Sequence, residues 1–428
     1  MNMRIACAPL AICMAMSGNQ SLAQDLTGEI KIWSWNVAAS AMETVGAEFM
    51  AANPGVKVVV EDLGNQGVYD RMLAGCAAGG NDLPDLMTVE NHEAEIFWTQ
   101  FPSCFADLNE LGYTPEMQAI FPEFKRVELE SNGASYAMPW DSGPVVMFYR
   151  RDIYAAGGVD PATIVTWADF IAAGARIQAA SPGVTMSQAD LNGDTDWFRM
   201  IANEQGCGYF SADGQSININ APGCVAALDA LRSLYDAGLL RSASWDEKIQ
   251  SNNASTVATQ MFGGWYEGSI RTTSPEEQSG LWGMYLMPSV TADGGRAANL
   301  GGSSLAMSGS SDNKEAAFAF LKFALATDKG QITMLRDYGL VPSLLSSAND
   351  PFTAEGQPFW GDQPVWQLVL GTLPAIKPSH GTPYFGDADA VFRAVQLSYL
   401  NGGYPDAKAA LDDAAQQIEL VTGLPLAQ

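Results

Sequence analysis

Histidine is almost missing from this 428-residue chain: only His92 and His380 occur, far apart. Neither sits in an H-E-x-x-H motif. C-x-x-C and G-x-S-x-G are absent too, so the common zinc, dithiol and serine-hydrolase readings fail on inventory. No Walker lysine and no strand-linked G-x-G-x-x-G occur, which removes the usual phosphate cradles. Basic residues are scarce, 22 against 48 acidic ones. A surface so negative repels nucleic acid and anionic membranes, and keeps the chain soluble. Long apolar runs are confined to the first residues, and nothing later reaches the roughly eighteen uninterrupted apolar residues a spanning helix needs. Internal repeats, low-complexity tracts and charge blocks are also lacking, so no disordered linker divides the chain.

What is present begins with a secretory leader. Arg4 supplies a positive start, residues 5–16 an apolar stretch, and Ser21-Leu22-Ala23 a small-x-small cleavage site, which predicts export to the periplasm with processing after Ala23. Leu10-Ala11-Ile12-Cys13 has the outline of a lipoprotein signal but carries Ile12 where a small residue belongs. Removing residues 1–23 takes away Arg4, Cys7 and Cys13, leaving 21 basic and 48 acidic residues, a formal charge of −27. Cys76, Cys104, Cys207 and Cys224 remain, an even number in an oxidising compartment, which reads as two disulfides. Three pairings are open; joining Cys76 to Cys104 and Cys207 to Cys224 keeps each bridge inside one domain. Roughly 400 mature residues exceed what one hydrophobic core serves, so two domains are expected.

The mature start reads strand, helix, strand. Residues 30–35 are β-rich, Met42, Val45 and Phe49 recur at helical spacing, Asn53-Pro54-Gly55 stops the helix, and residues 56–60 form a second β run. Further strands are expected at 85–89 and 145–149. Thr166-Trp167-Ala168-Asp169 is a capping box, Ser311-Asp312 caps a run bearing Phe318, Leu321 and Leu325, and Pro405-Asp406 opens a last helix with Leu411, Ala414 and Ile418. The alternation predicts an α/β fold with parallel sheets covered by helices. Asp190, Asn192, Asp194 and Asp196 alternate like half a calcium loop. Thr195 stands where the loop's glycine belongs and Ile201 where its bidentate acid belongs, so the pattern reads as a polar turn and no metal is assigned.

Eleven tryptophans are the chief chemical signal. A sugar's C–H face packs on an aromatic ring while its hydroxyl rim wants carboxylates and amides. Trp35-Asn36, Trp140-Asp141 and Trp265-Tyr266-Glu267 pair the two chemistries, whereas Trp33, pointing opposite to Trp35 on its strand, reads as core. Forty-eight acids leave room for a two-carboxylate glycosidase, which sequence spacing alone does not test.

Eight segments occur in an order that resembles the extracellular solute-binding proteins of sugar ABC importers, the group that includes the maltose-binding protein. They are GEIKIWSW (28–35), LPDLMTVE (83–90), YAMPWDSGPVVMFYRRDIY (136–154), TWADF (166–170), MFGGWYEG (261–268), GGSSLAMS (301–308), FLKFALATDKGQ (320–331) and YGLVPS (338–343). The Pro-Trp-Asp-Ser-Gly-Pro stretch is similar to binders of lactose and related di- or oligosaccharides. The resemblance implies a type II periplasmic-binding-protein fold. Its two α/β lobes, 24–141 plus 302–326 and 142–301 plus 327–428, would be joined by three hinge crossings near 140–144, 298–302 and 326–329. It further implies a monomer that takes a carbohydrate in the cleft and hands it to ABC permease subunits, with no catalysis and no cofactor. Carried over residue by residue, the ligand contacts would be Trp35, Asn36, Glu90, Asn91, His92, Trp140, Asp141, Asp196, Trp197, Trp265, Tyr266, Gly302, Ser303 and Tyr384. Two departures imply a different sugar or orientation: the family's acidic contact falls on Gly143, and its Trp-x-x-Asp becomes Val89-Glu90-Asn91-His92. A polyamine or other non-sugar solute is the alternative that the acidic balance raises, and an exported glycosidase the more distant one.

Overall fold

The computed structural model describes residues 26–379 and 382–427; the leader and its cleavage site lie outside that range. No helix among the described residues is long and apolar enough to cross a membrane.

The strand Gly28–Ser34 pairs in parallel with Val56–Asp62 on one side and Leu86–Glu90 on the other. Ser303–Met307 adds antiparallel to Leu86–Glu90, and Ala137–Pro139 antiparallel to that, giving a five-stranded mixed sheet. The helix Asn36–Ala52 buries Met42, Val45 and Phe49 as their spacing requires, and Phe49 meets Phe320 of the helix Lys314–Leu325 edge-on at 5.4 Å. These elements share one hydrophobic cluster.

A second cluster surrounds Val145–Arg150, whose six residues are all buried. That strand lies between Thr259–Gly263 and Trp282–Leu286, antiparallel to both. Ser187–Ala189 and Leu240–Ser242 pair in parallel, and a parallel bridge from Thr185 to Val257 sets them beside Thr259–Gly263. The expected parallel sheets are thus corrected to mixed ones. Val145–Arg150 and Ser303–Met307 leave a crossing and so start at the edge where the parallel strands end, which forces the opposite direction.

The capping box of Thr166 and Asp169 forms on the helix Trp167–Ala180, and Asp406 accepts from Ala409 N at the head of Ala407–Thr422. Ser311-Asp312 does not cap Lys314–Leu325: Asn313 holds that position and the Ser311 hydroxyl donates to Asp85. Disulfides join Cys76 to Cys104 and Cys207 to Cys224, each within one cluster. Closing loops of this size stabilises by about 3 to 4 kcal/mol each in the chain-entropy picture.

Between the clusters three chain segments run side by side. Leu300 N donates to Gly143 O at 2.8 Å, Ser142 N to Val341 O at 2.8 Å, and Ser343 N to Trp140 O at 3.0 Å. A Cβ on Gly143 would stand 1.9 Å from Leu300 O, and one on Gly302, at φ +101, 2.7 Å from Asp141 O, so close backbone approach demands glycine at both. The helix Asp328–Tyr338 rests on Asn36–Ala52 through an ion pair of Lys329 with Glu48 at 2.7 Å and a bond between Tyr338 and Thr44 hydroxyls. Backbone bonds set 341–343 beside 140–142, and Gln331 Nε2 also donates to Trp140 O at 3.0 Å.

Candidate ligand-binding cleft

In open α/β sheets ligands collect at the carboxyl ends of parallel strands. Here both clusters turn those ends toward the crossings. On one side they lead into Trp35-Asn36, Asn65 and Glu90-Asn91-His92; on the other into 190–196, Ser244-Trp245 and Gly264-Trp265. Between them lies a cleft of about 820 Å³, its open mouth included. From the side of the first cluster come Asn91, His92 and Glu128, with Phe124, which packs into the second cluster, beside them. The second contributes Phe198, Arg199, Asn203, Cys207, Tyr209, Phe210, Lys377, Ser379 and Phe385, with Asn299 and Gly301 at the crossing.

The first wall is a buried polar network. Asn91 Nδ2 donates to Glu128 Oε2 at 2.7 Å, while its Oδ1 accepts from Lys125 Nζ at 2.7 Å and from the Ser304 hydroxyl at 2.9 Å. Lys125, with no exposed surface, also donates to Ser303 O at 3.3 Å, and Asp141 Oδ1 accepts from Ser303 N at 2.8 Å. Burial pushes the Glu128 and Asp141 carboxyls up and the Lys125 ammonium down, and the attraction between the cation and the two acids opposes each shift.

The second wall is lined with aromatic rings, of which Phe385 is the partly exposed one. Phe198, Arg199, Ala202 and Asn203 lie on one face of the helix Asp196–Glu204. Arg199 Nη1 meets Asp196 Oδ1 at 3.3 Å and its guanidinium lies 4.7 Å over the Phe385 ring, leaving Nε and Nη2 without a hydrogen-bond partner among the described residues. Tyr209 stacks on Phe385 at 5.7 Å and donates to Asp389 Oδ1 at 2.8 Å. The Cys207–Cys224 bridge anchors this stretch to the helix Pro222–Asp236. His92 reaches across from the first wall and meets Phe385 edge-on at 5.7 Å; burial and the Arg199 charge hold its imidazole neutral, well below its usual pKa.

Of the residues expected at the ligand, Asn91 and His92 line this cleft. Glu90 borders an adjoining groove with Asn65, Tyr69 and Glu93, where burial raises its pKa. Asn36, exposed at φ 45, and Trp35, buried against Tyr69, stand at the end of the first strand. Asp196 holds Arg199, Gly302 and Ser303 hold the network through their backbone, and Tyr384 packs half-buried beside Phe385. Trp265 is half-buried, its Nε1 donating to Leu300 O at 2.8 Å.

Trp140 and Tyr266 have 1% and 0% exposure, and Trp197, at 3%, donates to Gln188 O; each packs in a core beneath the strand ends and none is among the residues lining this cavity. Asp141 is likewise engaged with Ser303 N, so it shapes the crossing rather than meeting a hydroxyl. The 190–196 turn directs Asp190 and Asp194 oxygens at Gly193 N and Asp196 N, and no group of three metal-ligating side chains occurs among the described residues. Sequence reasoning missed Arg199, Tyr209, Phe385 and Glu128. The i, i+4 pairs Phe198/Ala202 and Arg199/Asn203 carried a helical signal for one face, but nothing in the chain order ties Phe385 to them.

Known proteins share this architecture. A lactose-binding protein of Rhizobium radiobacter is 28% identical over 404 residues, covering 92% of this chain and 93% of that one. Among solved structures, the sugar-binding protein MalE from Xanthomonas citri superimposes with a TM-score of 0.78 at 19% identity, covering 92% of this chain and 97% of that one. An ABC transporter associated binding protein from B. animalis subsp. lactis Bl-04, in complex with beta-1,6-galactobiose, gives 0.71 at 23% identity, with coverage of 94% and 100%. Two lobes, three side-by-side crossings and a cleft between strand ends are the type II periplasmic-binding-protein fold. The model of the bacterial extracellular solute-binding proteins matches residues 34–331, well over half of the chain, and the chain belongs to that family.

Proposed function

We propose that the protein captures a neutral di- or oligosaccharide between its lobes in the periplasm and presents it, closed, to the permease subunits of an ABC importer, acting as a monomer without a cofactor. The observation that carries this reading is the composition of the cleft: aromatic rings alternate with amides and with groups of both charge signs, which suits a C–H face and a hydroxyl rim. The names of its relatives, a lactose-binding protein and an arabinooligosaccharide-binding protein of Bacillus subtilis, support the same class of ligand. We assign the lobes as 24–141 plus 302–326 and 142–301 plus the C-terminal part, with Asp328–Tyr338 riding on the first lobe and the third crossing at 341–343. Closure would turn on the few torsions at the crossings, and ligand would select the closed state by its higher affinity there.

The test is thermal unfolding of the mature protein against mono-, di- and oligosaccharides, polyols and polyamines. A ligand at about a hundred times its Kd stabilises by about 2.7 kcal/mol and raises the midpoint visibly. Shifts with one saccharide class support the reading; shifts with polyamines alone, weakening as salt is added, would replace it with the cationic-solute alternative. Arg199 and Lys377 at the cleft favour the sugar over a cation. Release of monosaccharide over time would mark an enzyme instead. Trp265→Ala should weaken sugar binding at least tenfold, about 1.4 kcal/mol.

A further inference from the structure

Trp245 was not among the expected contacts, yet it is the most exposed tryptophan described, at 43%. Its position is built in. It opens the helix Trp245–Asn253 directly after the strand Leu240–Ser242, and Ser244 and Glu247 form a capping box around it. The ring stacks on Trp265 with centroids 6.2 Å apart and planes 25° apart, and it stands edge-on to Phe262 and Tyr266 at 6.0 and 5.4 Å. Such a ring could have turned inward; instead three aromatics hold it up with nearly half of its surface in solvent. Trp265 in turn borders the crossing, where a Cβ on Gly301 would lie 3.3 Å from its Nε1, and Gly301 lines the cleft.

One turn after Trp245 comes Lys248, only 3% exposed, with Nζ 5.1 Å from the Phe262 ring centroid. No hydrogen bond or ion pair to a described residue engages that ammonium. It is electrostatically close to the 190–196 turn: burial and Asp196 push the Asp194 carboxyl up, and Lys248 pulls it back down. With no partner among the described residues, its donors are available to hydroxyl oxygens. Beside it lie carboxylates that supply acceptors of their own, so the pair matches the donor and acceptor faces of neighbouring ring hydroxyls.

We infer that Trp245, with Lys248 and Asp194 behind it, forms an outer subsite on the second lobe that takes a second sugar ring beyond the one stacked on Trp265. This rests on the carbohydrate reading above and names the residues that would hold the second ring of the di- or oligosaccharide proposed there.

The test is calorimetric titration of the wild-type, Trp245→Ala and Lys248→Met proteins with a homologous series of mono-, di-, tri- and tetrasaccharides of the class that shifts the wild type. Trp245→Ala should lose at least tenfold in affinity for disaccharides and longer while changing monosaccharide affinity by less than twofold. Lys248→Met should show the same length dependence. Equal losses at every length, or no loss at any, overturn the inference and leave the carbohydrate reading standing. A wild type that binds no saccharide overturns both. Trp245→Leu, which keeps apolar contact with Trp265, controls for folding: a length-dependent loss in that variant with the ligand-free midpoint unchanged supports the subsite, and wild-type affinities in it overturn the ring's role.

Discussion

The two walls of the cleft use polar side chains in opposite ways. On the first lobe, Asn91, Lys125, Glu128 and Asp141 bond to one another and to the Ser303 backbone, so that charges are held under the surface. On the second, Arg199 rests on Phe385 and has two nitrogen groups without a partner among the described residues, while Tyr209 and Phe210 line the cavity. The same residue types thus fix the shape of one wall and supply the chemistry of the other. Where a polar group is fully satisfied inside, it specifies structure; where a stacked ring supports it and a donor is left over, it is available to a ligand.

The largest effect expected from breaking this contrast is on the first wall. Lys125→Met leaves Glu128 and Asp141 without their cation and Asn91 Oδ1 without its ammonium donor, and removal of one partner from a buried ionic network costs about 3–5 kcal/mol. Chemical denaturation should show that loss; a variant as stable as the wild type would mean that the network contributes nothing net. Next, Arg199→Met should weaken sugar binding at least tenfold, about 1.4 kcal/mol, while calorimetric unfolding without ligand stays close to wild type. If Arg199→Met instead behaves like Lys125→Met, the two walls do not differ as described.

Tyr266→Phe sharpens the distinction within one lobe. Its hydroxyl accepts from Asn252 Nδ2 at 2.9 Å in a buried site, so losing it should cost about 1 kcal/mol of stability and leave sugar affinity unchanged. A clear affinity loss would return Tyr266 to the ligand. The smallest effect concerns pH. Burial, then repulsion by Glu128, raises the Glu95 carboxyl to about 7 in the folded protein against 4.5 for the unperturbed group. The folded state then binds the proton more tightly. This group's contribution is fully present below about pH 4.5 and is lost as pH rises through 7. Unfolding midpoints compared at pH 5.5 and 8 should fall less steeply in Glu95→Gln than in the wild type; identical pH profiles would show that Glu95 is not so perturbed.

Much of the fold was legible because it follows from local rules. Met42, Val45 and Phe49 announce a helix by their spacing, and Thr166 with Asp169 a cap by their chemistry. Strand direction was not legible, since whether Val145–Arg150 runs with or against its neighbours depends on which edge the chain enters. Asn91 and His92, carried over from the family resemblance after a recognisable strand, line the candidate cleft. Trp140, Trp197 and Tyr266 were placed at the ligand because tryptophan or tyrosine beside an acid or a glycine looks the same in sequence whether the ring points out or in. Phe385 and Glu128 lie 186 and 71 positions from Arg199 along the chain, and no local pattern carries such an encounter.

Composition and order alone determined that this is an acidic α/β chain of two-domain size without the common hydrolase motifs, because charge count, motif inventory and periodicity need no third dimension. The tertiary structure decided which of eleven tryptophans stay in solvent, which charges satisfy one another, and which strands face the cleft. Burial and partnership belong to surfaces brought together by folding, and a side chain's chemistry becomes available to a ligand only after its neighbours have taken what they need.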